Sequence, residues 1–157
     1  MALTRLDDLF HVTYGTNLEL NSLEQDGDGI NFVSRSAINN GISAKVKPVE
    51  GIYPILPGVL TVAGGGSVLE TFLQTEPFYS GRDLYYLTPK HKLSNAELLY
   101  YCVCIKANRY KYSYGRQANK TLKSLLLPDI AQIPSWVNEA YQHQLDQLVK
   151  HIRVMTD

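Results

Sequence analysis

The chain has 157 residues, enough for one ordinary domain and cramped for two. Its hydrophobic share of 45% with 19% charged residues is that of a folded protein with a real core, and no internal repeat or low-complexity tract interrupts it. Fifteen basic and fifteen acidic residues cancel to a formal net charge of +0, so any attraction for nucleic acid has to come from how charge is distributed rather than from its sum.

The opening Met1-Ala2-Leu3-Thr4-Arg5-Leu6-Asp7-Asp8 lacks the apolar stretch of a secretory signal. No run of about 18 apolar residues follows, so no membrane span is expected. Residues 1–15 mix apolar and polar positions and end in Tyr14-Gly15, which reads as a short helix or strand entering a turn. Asp26-Gly27-Asp28-Gly29 is a strong turn signal, ahead of a strand over Ile30-Asn31-Phe32-Val33-Ser34. Asn39-Asn40-Gly41 is a second turn, since Asn and Gly tolerate positive φ cheaply. Strands are expected at 52–56 and 59–62, parted by Pro57-Gly58. Gly64-Gly65-Gly66 breaks the pattern before further strands at 71–74 and 83–87.

The second part is helical. Ser94-Asn95-Ala96-Glu97 is a capping box, because the Ser hydroxyl can accept from the Glu97 amide while the Glu97 carboxylate reaches back. It opens a helix ending near Asn108. A last helix starts after Pro134-Ser135 and runs to about Met155. On it Tyr141, Leu145, Leu148, Ile152 and Met155 form a heptad seam about two heptads long. The class is mixed α/β of the α+β kind: a mainly β N-terminal part with a mixed sheet, helices in the C-terminal half, and residues 134–157 forming a terminal helix for packing or assembly beyond a body at 1–133.

Most motifs that suggest chemistry have plainer readings. Gly64-Gly65-Gly66 is followed by Ser67-Val68, where a phosphate-binding loop needs Lys-Ser/Thr, so a bent connection between strands is expected. Cys102 and Cys104 are too close to bridge usefully and have no second cysteine pair; they fit buried thiols or a reducing cytoplasm. His143 and His151 stand eight residues apart, not the four of a helical metal pair. Glu70 and Asp83 are lone carboxylates, expected to be ion-paired or solvated. No nucleophile elbow, acid/base pair or methyltransferase cofactor motif appears, so neither catalysis nor a cofactor is expected.

One segment differs. Between Lys106 and Lys123 the charges are all positive, whereas residues 1–30 carry six acids against Arg5. Within it Asn108-Arg109-Tyr110-Lys111-Tyr112-Ser113-Tyr114-Gly115-Arg116-Gln117-Ala118-Asn119-Lys120 interleaves cations, aromatics and amides. Lys and Arg neutralise phosphates, Arg, Asn and Gln match base edges in the major groove, and tyrosines bond phosphate or stack. The candidate DNA contacts are Arg109, Lys111, Tyr112, Tyr114, Arg116, Gln117, Asn119 and Lys120. A smaller polar patch adds Arg35, Ser36, Asn39 and Asn40. The alternative for both is a solvated loop or turn. The excess of Tyr, 11 against 4 Phe and 1 Trp, suits half-buried sheets or wet binding surfaces.

Taken in order, these segments resemble a DNA target-recognition domain of type I restriction-modification specificity subunits. The resemblance runs from Leu6-Asp7-Asp8-Leu9-Phe10 with Tyr14-Gly15, through Ile30-Asn31-Phe32-Val33-Ser34-Arg35-Ser36 with Asn39-Asn40-Gly41, to Gly58-Val59-Leu60-Thr61-Val62 and its Gly-Ser turn. Phe72-Leu73-Gln74 and Pro77-Phe78-Tyr79 follow, and Leu122-Lys123-Ser124-Leu125-Leu126-Leu127-Pro128 closes it. It covers about residues 3–155, and the order of the pieces carries it rather than any one of them.

The resemblance implies a non-catalytic module that reads half of a bipartite site in double-stranded DNA. Its implied partners are a DNA methyltransferase subunit and, through it, a nuclease subunit. Such subunits usually carry two recognition domains separated by long helices. One domain with one shorter helix therefore looks like a half-subunit or an isolated relative, and Trp136 departs from the usual pattern. The seam on the last helix would serve a homodimer, a methyltransferase helix or the chain's own body. The alternative function is a protein-interaction module that docks on a methyltransferase or another defence-system subunit without reading DNA.

Overall fold

The computed structural model describes residues 2–112 and 117–156. In chain order the elements are β1 (Leu3–Arg5), the single turn α1 (Leu6–Leu9), β2 (Phe10–Tyr14), β3 (Gln25–Val33), β4 (Ile42–Val46), β5 (Val59–Ala63), β6 (Thr71–Gln74), β7 (Phe78–Ser80), β8 (Leu84–Pro89), α2 (Asn95–Lys106), β9 (Leu126–Pro128) and α3 (Trp136–Thr156), with short 3-10 turns between. The fold is α+β. A four-stranded antiparallel sheet runs β2-β8-β5-β6, and a three-stranded mixed sheet runs β4-β3-β7, in which β3 and β7 are parallel. The two ends of the body meet in the pair β1-β9.

The sequence of β5, Val-Leu-Thr-Val-Ala, is apolar almost throughout because both faces of the strand are covered. Leu60 and Val62 face α2, packing with Leu98, Tyr101, Cys102 and Ile105. Val59 and Ala63 face the three-stranded sheet, packing with Val33, Phe78 and Leu84. The four-stranded sheet is thus the middle layer. Helix α2 lies across it because the capping box forms as its sequence requires: Glu97 N–H donates to Ser94 Oγ at 3.1 Å, and Ser94 N–H donates to Glu97 Oε1 at 2.8 Å.

Tyrosine hydroxyls act as ties in this core. Tyr101 is fully buried and donates to the Pro128 carbonyl at 2.8 Å, and Tyr79 donates to the Ile52 carbonyl at 2.9 Å. Among the described residues no buried side-chain polar atom is left without a partner. The thiol of Cys102 is buried, which pushes it up to about 12 and leaves it poorly reactive at neutral pH.

Two expectations need correction. Asp26-Gly27-Asp28-Gly29 does not join two elements but bulges out within β3, since Gln25 and Ile30 both stand opposite Val46. The glycine is needed there: a Cβ on Gly29 would run into the Val46 backbone. Residues 52–56 are not a strand. Only Ile55 bridges to Phe78, because Pro54 has no N–H to offer a ladder and Tyr53 is 91% exposed. Strands β4 and β9 were not among those expected from the sequence.

Candidate nucleic-acid interface

The glycine turn between β5 and β6 is a bent connection, and the two polar regions of the sequence converge on it. Gly64 N–H donates to the Asp83 carbonyl at 2.7 Å, and the Gly64 carbonyl accepts from Ala118 N–H at 2.9 Å. Gly66 has φ +60, and Arg35 lies directly over it: a Cβ on Gly66 would stand 3.0 Å from the Arg35 Cβ, and one on Gly65 would stand 3.0 Å from Arg35 Nη1. Side chains here would hold Arg35 away.

Arg35 is held by Asp83, Nη1 to Oδ2 at 3.3 Å, in a pair that is only about a quarter exposed on either side. Asp83 sits in the left-handed region at φ +52, and its N–H donates to the Tyr14 hydroxyl at 2.7 Å. On the other flank the Tyr85 hydroxyl donates to Asn119 Oδ1 at 3.1 Å, and Asn119 Nδ2 donates to Gln117 Oε1 at 2.8 Å. Burial pushes the Tyr85 hydroxyl above the usual phenol range, with Tyr14 and Asp83 adding to it, so it stays protonated and a donor. One polar relay therefore orients two of the amides singled out in the sequence.

The start of the cation-rich segment is fixed at the far end of the same turn. Glu70, just before β6, accepts from Arg109 Nη1 at 2.7 Å and faces Lys106 Nζ at 3.3 Å. Lys106 also lies over the Phe72 ring, 4.8 Å from its centroid. Tyr112 shares a 2.6 Å hydrogen bond with Thr121, while Lys111 and Lys120 are exposed. Both ends of the segment are thus tied to residues 64–70. Tyr114 and Arg116 lie outside the described residues.

The smaller patch is divided. Arg35 joins the glycine turn, but Ser36, Asn39 and Asn40 do not. Ser36 Oγ accepts from Ile38 N–H at 3.2 Å, and Asn39 Nδ2 donates to the Ile42 carbonyl at 2.9 Å. Asn40 Nδ2 donates to the Leu73 carbonyl at 3.0 Å, and Gln74 Nε2 returns a bond to the Asn40 carbonyl at 3.0 Å. These contacts dock the 39–41 turn against β6, the edge strand of its sheet. Sequence reasoning passed over Gly64, Glu70, Asp83 and Tyr85 as site residues. Each acts through a partner distant in the chain, which leaves no local signal.

Gly64 offers a test of this arrangement. A Cβ there would collide with Asn119 Oδ1 and stand 2.9 Å from Tyr85 Cε2. Gly64→Ala is expected to part Asn119 from Tyr85 and to destabilise the domain by about 1–3 kcal/mol, as overpacking does. Chemical denaturation measures it, and an unchanged midpoint would mean the segment shifts at no cost.

The last helix stands apart from this surface. Val137 is its buried residue and Tyr141 is half-buried, whereas from Gln142 to Thr156 every residue is exposed. Leu148 is 54% and Ile152 50% exposed. Near its start an apolar groove of about 380 Å³ runs between α2 and α3, lined by Leu99, Val103, Trp136 and Tyr141 among others. None of the described helices is long and apolar enough to cross a membrane. Among the described residues no group of three or more His, Cys, Asp or Glu is placed to hold a metal ion.

The order of these elements matches a known family. A profile of the type I restriction modification DNA specificity domain fits residues 1–134. The chain belongs to this family. The specificity subunit S.BcgI of the type II restriction enzyme BgcI from Heyndrickxia coagulans is 30% identical over 135 residues, which are 83% of this chain and 39% of that subunit. Solved specificity subunits share the fold. The HsdS subunit from Thermoanaerobacter tengcongensis aligns over 99% of this chain and 40% of its own length, with a TM-score of 0.65 and 20% identity. The S subunit from M. genitalium aligns over 98% of this chain and 42% of its own, with a TM-score of 0.65 and 17% identity. This specificity domain therefore spans about two-fifths of the length of these relatives.

Proposed function

We propose that the chain is a non-catalytic, sequence-specific reader of double-stranded DNA, and that residues 109–120 with Arg35 form its reading surface. The observation that carries this is the convergence around residues 64–70: cations and amides from two distant parts of the chain are held by Glu70 on that turn and by Asp83 and Tyr85 beside it. Ordered amides and guanidinium groups are what base-edge recognition requires, since a donor or acceptor that wanders cannot discriminate. The net charge of +0 does not oppose this reading, because a local patch sets the attraction for phosphate.

In this reading residues 1–133 are the recognition body and residues 134–157 the assembly element. The relatives are more than twice as long, which in this reading leaves a second recognition half to be supplied beyond these residues. A homodimer through α3 supplies it. A methyltransferase subunit, with a nuclease subunit attached through it, would then act at the site the domain selects, in the cytoplasm. The exposed stripe of α3 and the groove beside it favour a second reading, in which the chain docks on such a subunit without reading DNA.

Selection from a pool of randomised duplexes separates the two. The DNA reading expects enrichment of one sequence by the purified chain, with log affinity falling steeply against log salt by about 0.9 per phosphate neutralised. A docking module gives no enrichment and no such slope. The same preparation is expected neither to cleave DNA nor to transfer a methyl group to it. Turnover that survives repurification and tracks with point variants of this chain would contradict a non-catalytic role.

A further inference from the structure

We propose that Glu70 is a positioning residue for sequence readout, holding Arg109 so that its remaining guanidinium donors meet the acceptor edge of a base, guanine O6 and N7 in the first instance. The inference rests on the DNA reading given above. A carboxylate beside a phosphate-binding surface is unfavourable by charge alone, so its presence calls for another account. Glu70 is placed with care: its side chain is only 10% exposed, one oxygen takes Arg109 at 2.7 Å, and the other faces Lys106 at 3.3 Å.

The backbone presents Glu70 by an unusual conformation. Leu69, fully buried, sits at φ +63, a region that a bulky side chain seldom occupies. Leu69 N–H donates to the Ala63 carbonyl at 2.9 Å and Ala63 N–H to the Glu70 carbonyl at 3.1 Å, which closes the turn around that residue. Burial of Leu69 in the main core holds the conformation, and the turn directs Glu70 at the C-terminal end of α2 and at Arg109.

The consequence lies in what Arg109 has left. It is bound to Glu70 through Nη1, and its side chain is 51% exposed. A guanidinium fixed at one nitrogen keeps a planar fork of donors whose orientation is set, the form suited to a bidentate base contact. Lys106 balances the carboxylate while resting on Phe72, so the group of three retains one net positive charge. A cation meant only for phosphate needs no such fixing.

The sign of the effect tests this. Glu70→Gln removes one negative charge, which by itself strengthens binding to every duplex. Glu24→Gln removes the same charge at an exposed pair with Lys47, just beyond the ends of β3 and β4, and serves as the control. The probes are the duplex that wild-type protein enriches from a randomised pool and a scrambled duplex of equal length.

For Glu70→Gln the ratio of the two affinities is expected to fall at least about tenfold, the size of one good base contact, while affinity for the scrambled duplex holds or rises. Arg109→Lys keeps the charge without the fork and is expected to lose the same ratio. The double variant should be no worse than either, because the two act as one unit. Should Glu70→Gln fail to fold, Glu70→Asp carries the same expectation, since it keeps the charge near Lys106 but is a methylene short of Arg109.

A Glu70 variant that folds and keeps the wild-type ratio overturns the role of Glu70 and leaves the DNA reading intact. So does an equal loss on both duplexes, which would mark Glu70 as merely structural. An Arg109→Lys protein with undiminished discrimination likewise overturns it. A wild-type chain that enriches no sequence overturns the DNA reading and this inference with it.

Discussion

Replacing Arg109, Lys111, Arg116 and Lys120 together by alanine is expected to abolish measurable DNA binding at about 0.15 M salt and to leave the fold intact. Up to four phosphate contacts removed should flatten the salt dependence by about 0.9 units of log–log slope for each, three of them if Arg109 reads a base instead. If one of the four reads a base, its loss also removes about 1–3 kcal/mol of discrimination at one position. For the three of these residues that the structure describes, the fold should survive for visible reasons. Lys111 and Lys120 are exposed, and Arg109 is half so. Losing Arg109 does not strand Glu70, because Lys106 remains 3.3 Å from its carboxylate. Electrophoretic mobility shift or fluorescence anisotropy over a salt series gives the slope, and circular dichroism checks the fold. Unchanged affinity in the quadruple variant would move the interface off this segment altogether.

The second large effect concerns assembly. Leu148→Asp with Ile152→Asp is expected to leave the thermal midpoint of the body unchanged and to convert a wild-type dimer into a monomer. Surface substitutions away from packed contacts ordinarily cost less than about 0.5 kcal/mol, and both side chains are about half exposed. Helix α3 has 21 residues and so extends roughly 30 Å, yet only its first turns touch the body. An apolar stripe on a helix in water is marginally stable without a partner, so something should cover Leu145, Leu148, Ile152 and Met155. A two-fold dimer would bury the stripe symmetrically and present two reading surfaces to a bipartite site. Mass measured by light scattering decides. A wild-type monomer that captures a purified methyltransferase subunit, and loses it on double substitution, would assign the stripe to that partner. A variant unchanged in mass and in partner binding would leave the stripe without a role in assembly.

Much of the local structure was legible because its causes are local. The capping box of α2 lies within four residues, and Ser94 and Glu97 meet as their spacing requires. The 59–62 run is apolar at all positions but Thr61, and a strand buried on both faces is what forms. Residues 52–56 misled because composition favoured a strand while Pro54 withheld the N–H that pairing needs. Residues 126–128 gave no clear signal, since their strand exists only by pairing with residues 3–5 at the other end of the body.

The site divides in the same way. The sequence by itself determined which side chains are available: a run of cations and amides free of acids, a small polar patch after β3, and an apolar stripe of heptad spacing near the C-terminus. Only the tertiary structure decided which of them meet. Arg35 finds Asp83 forty-eight positions away, and Arg109 finds Glu70 thirty-nine away, so the two carboxylates that looked solitary in the sequence became the anchors of the surface. Asn39 and Asn40 stood out in the sequence as candidates for base contact, and the fold also uses their amides to bond the Ile42 and Leu73 carbonyls. For α3 the periodicity gave the stripe but not the side it faces. That depended on where the body ends beneath the helix, and past Tyr141 none of the stripe is buried by the described residues. Periodicity is a property of the chain alone, whereas burial and pairing belong to whatever the folded chain brings within a few ångströms.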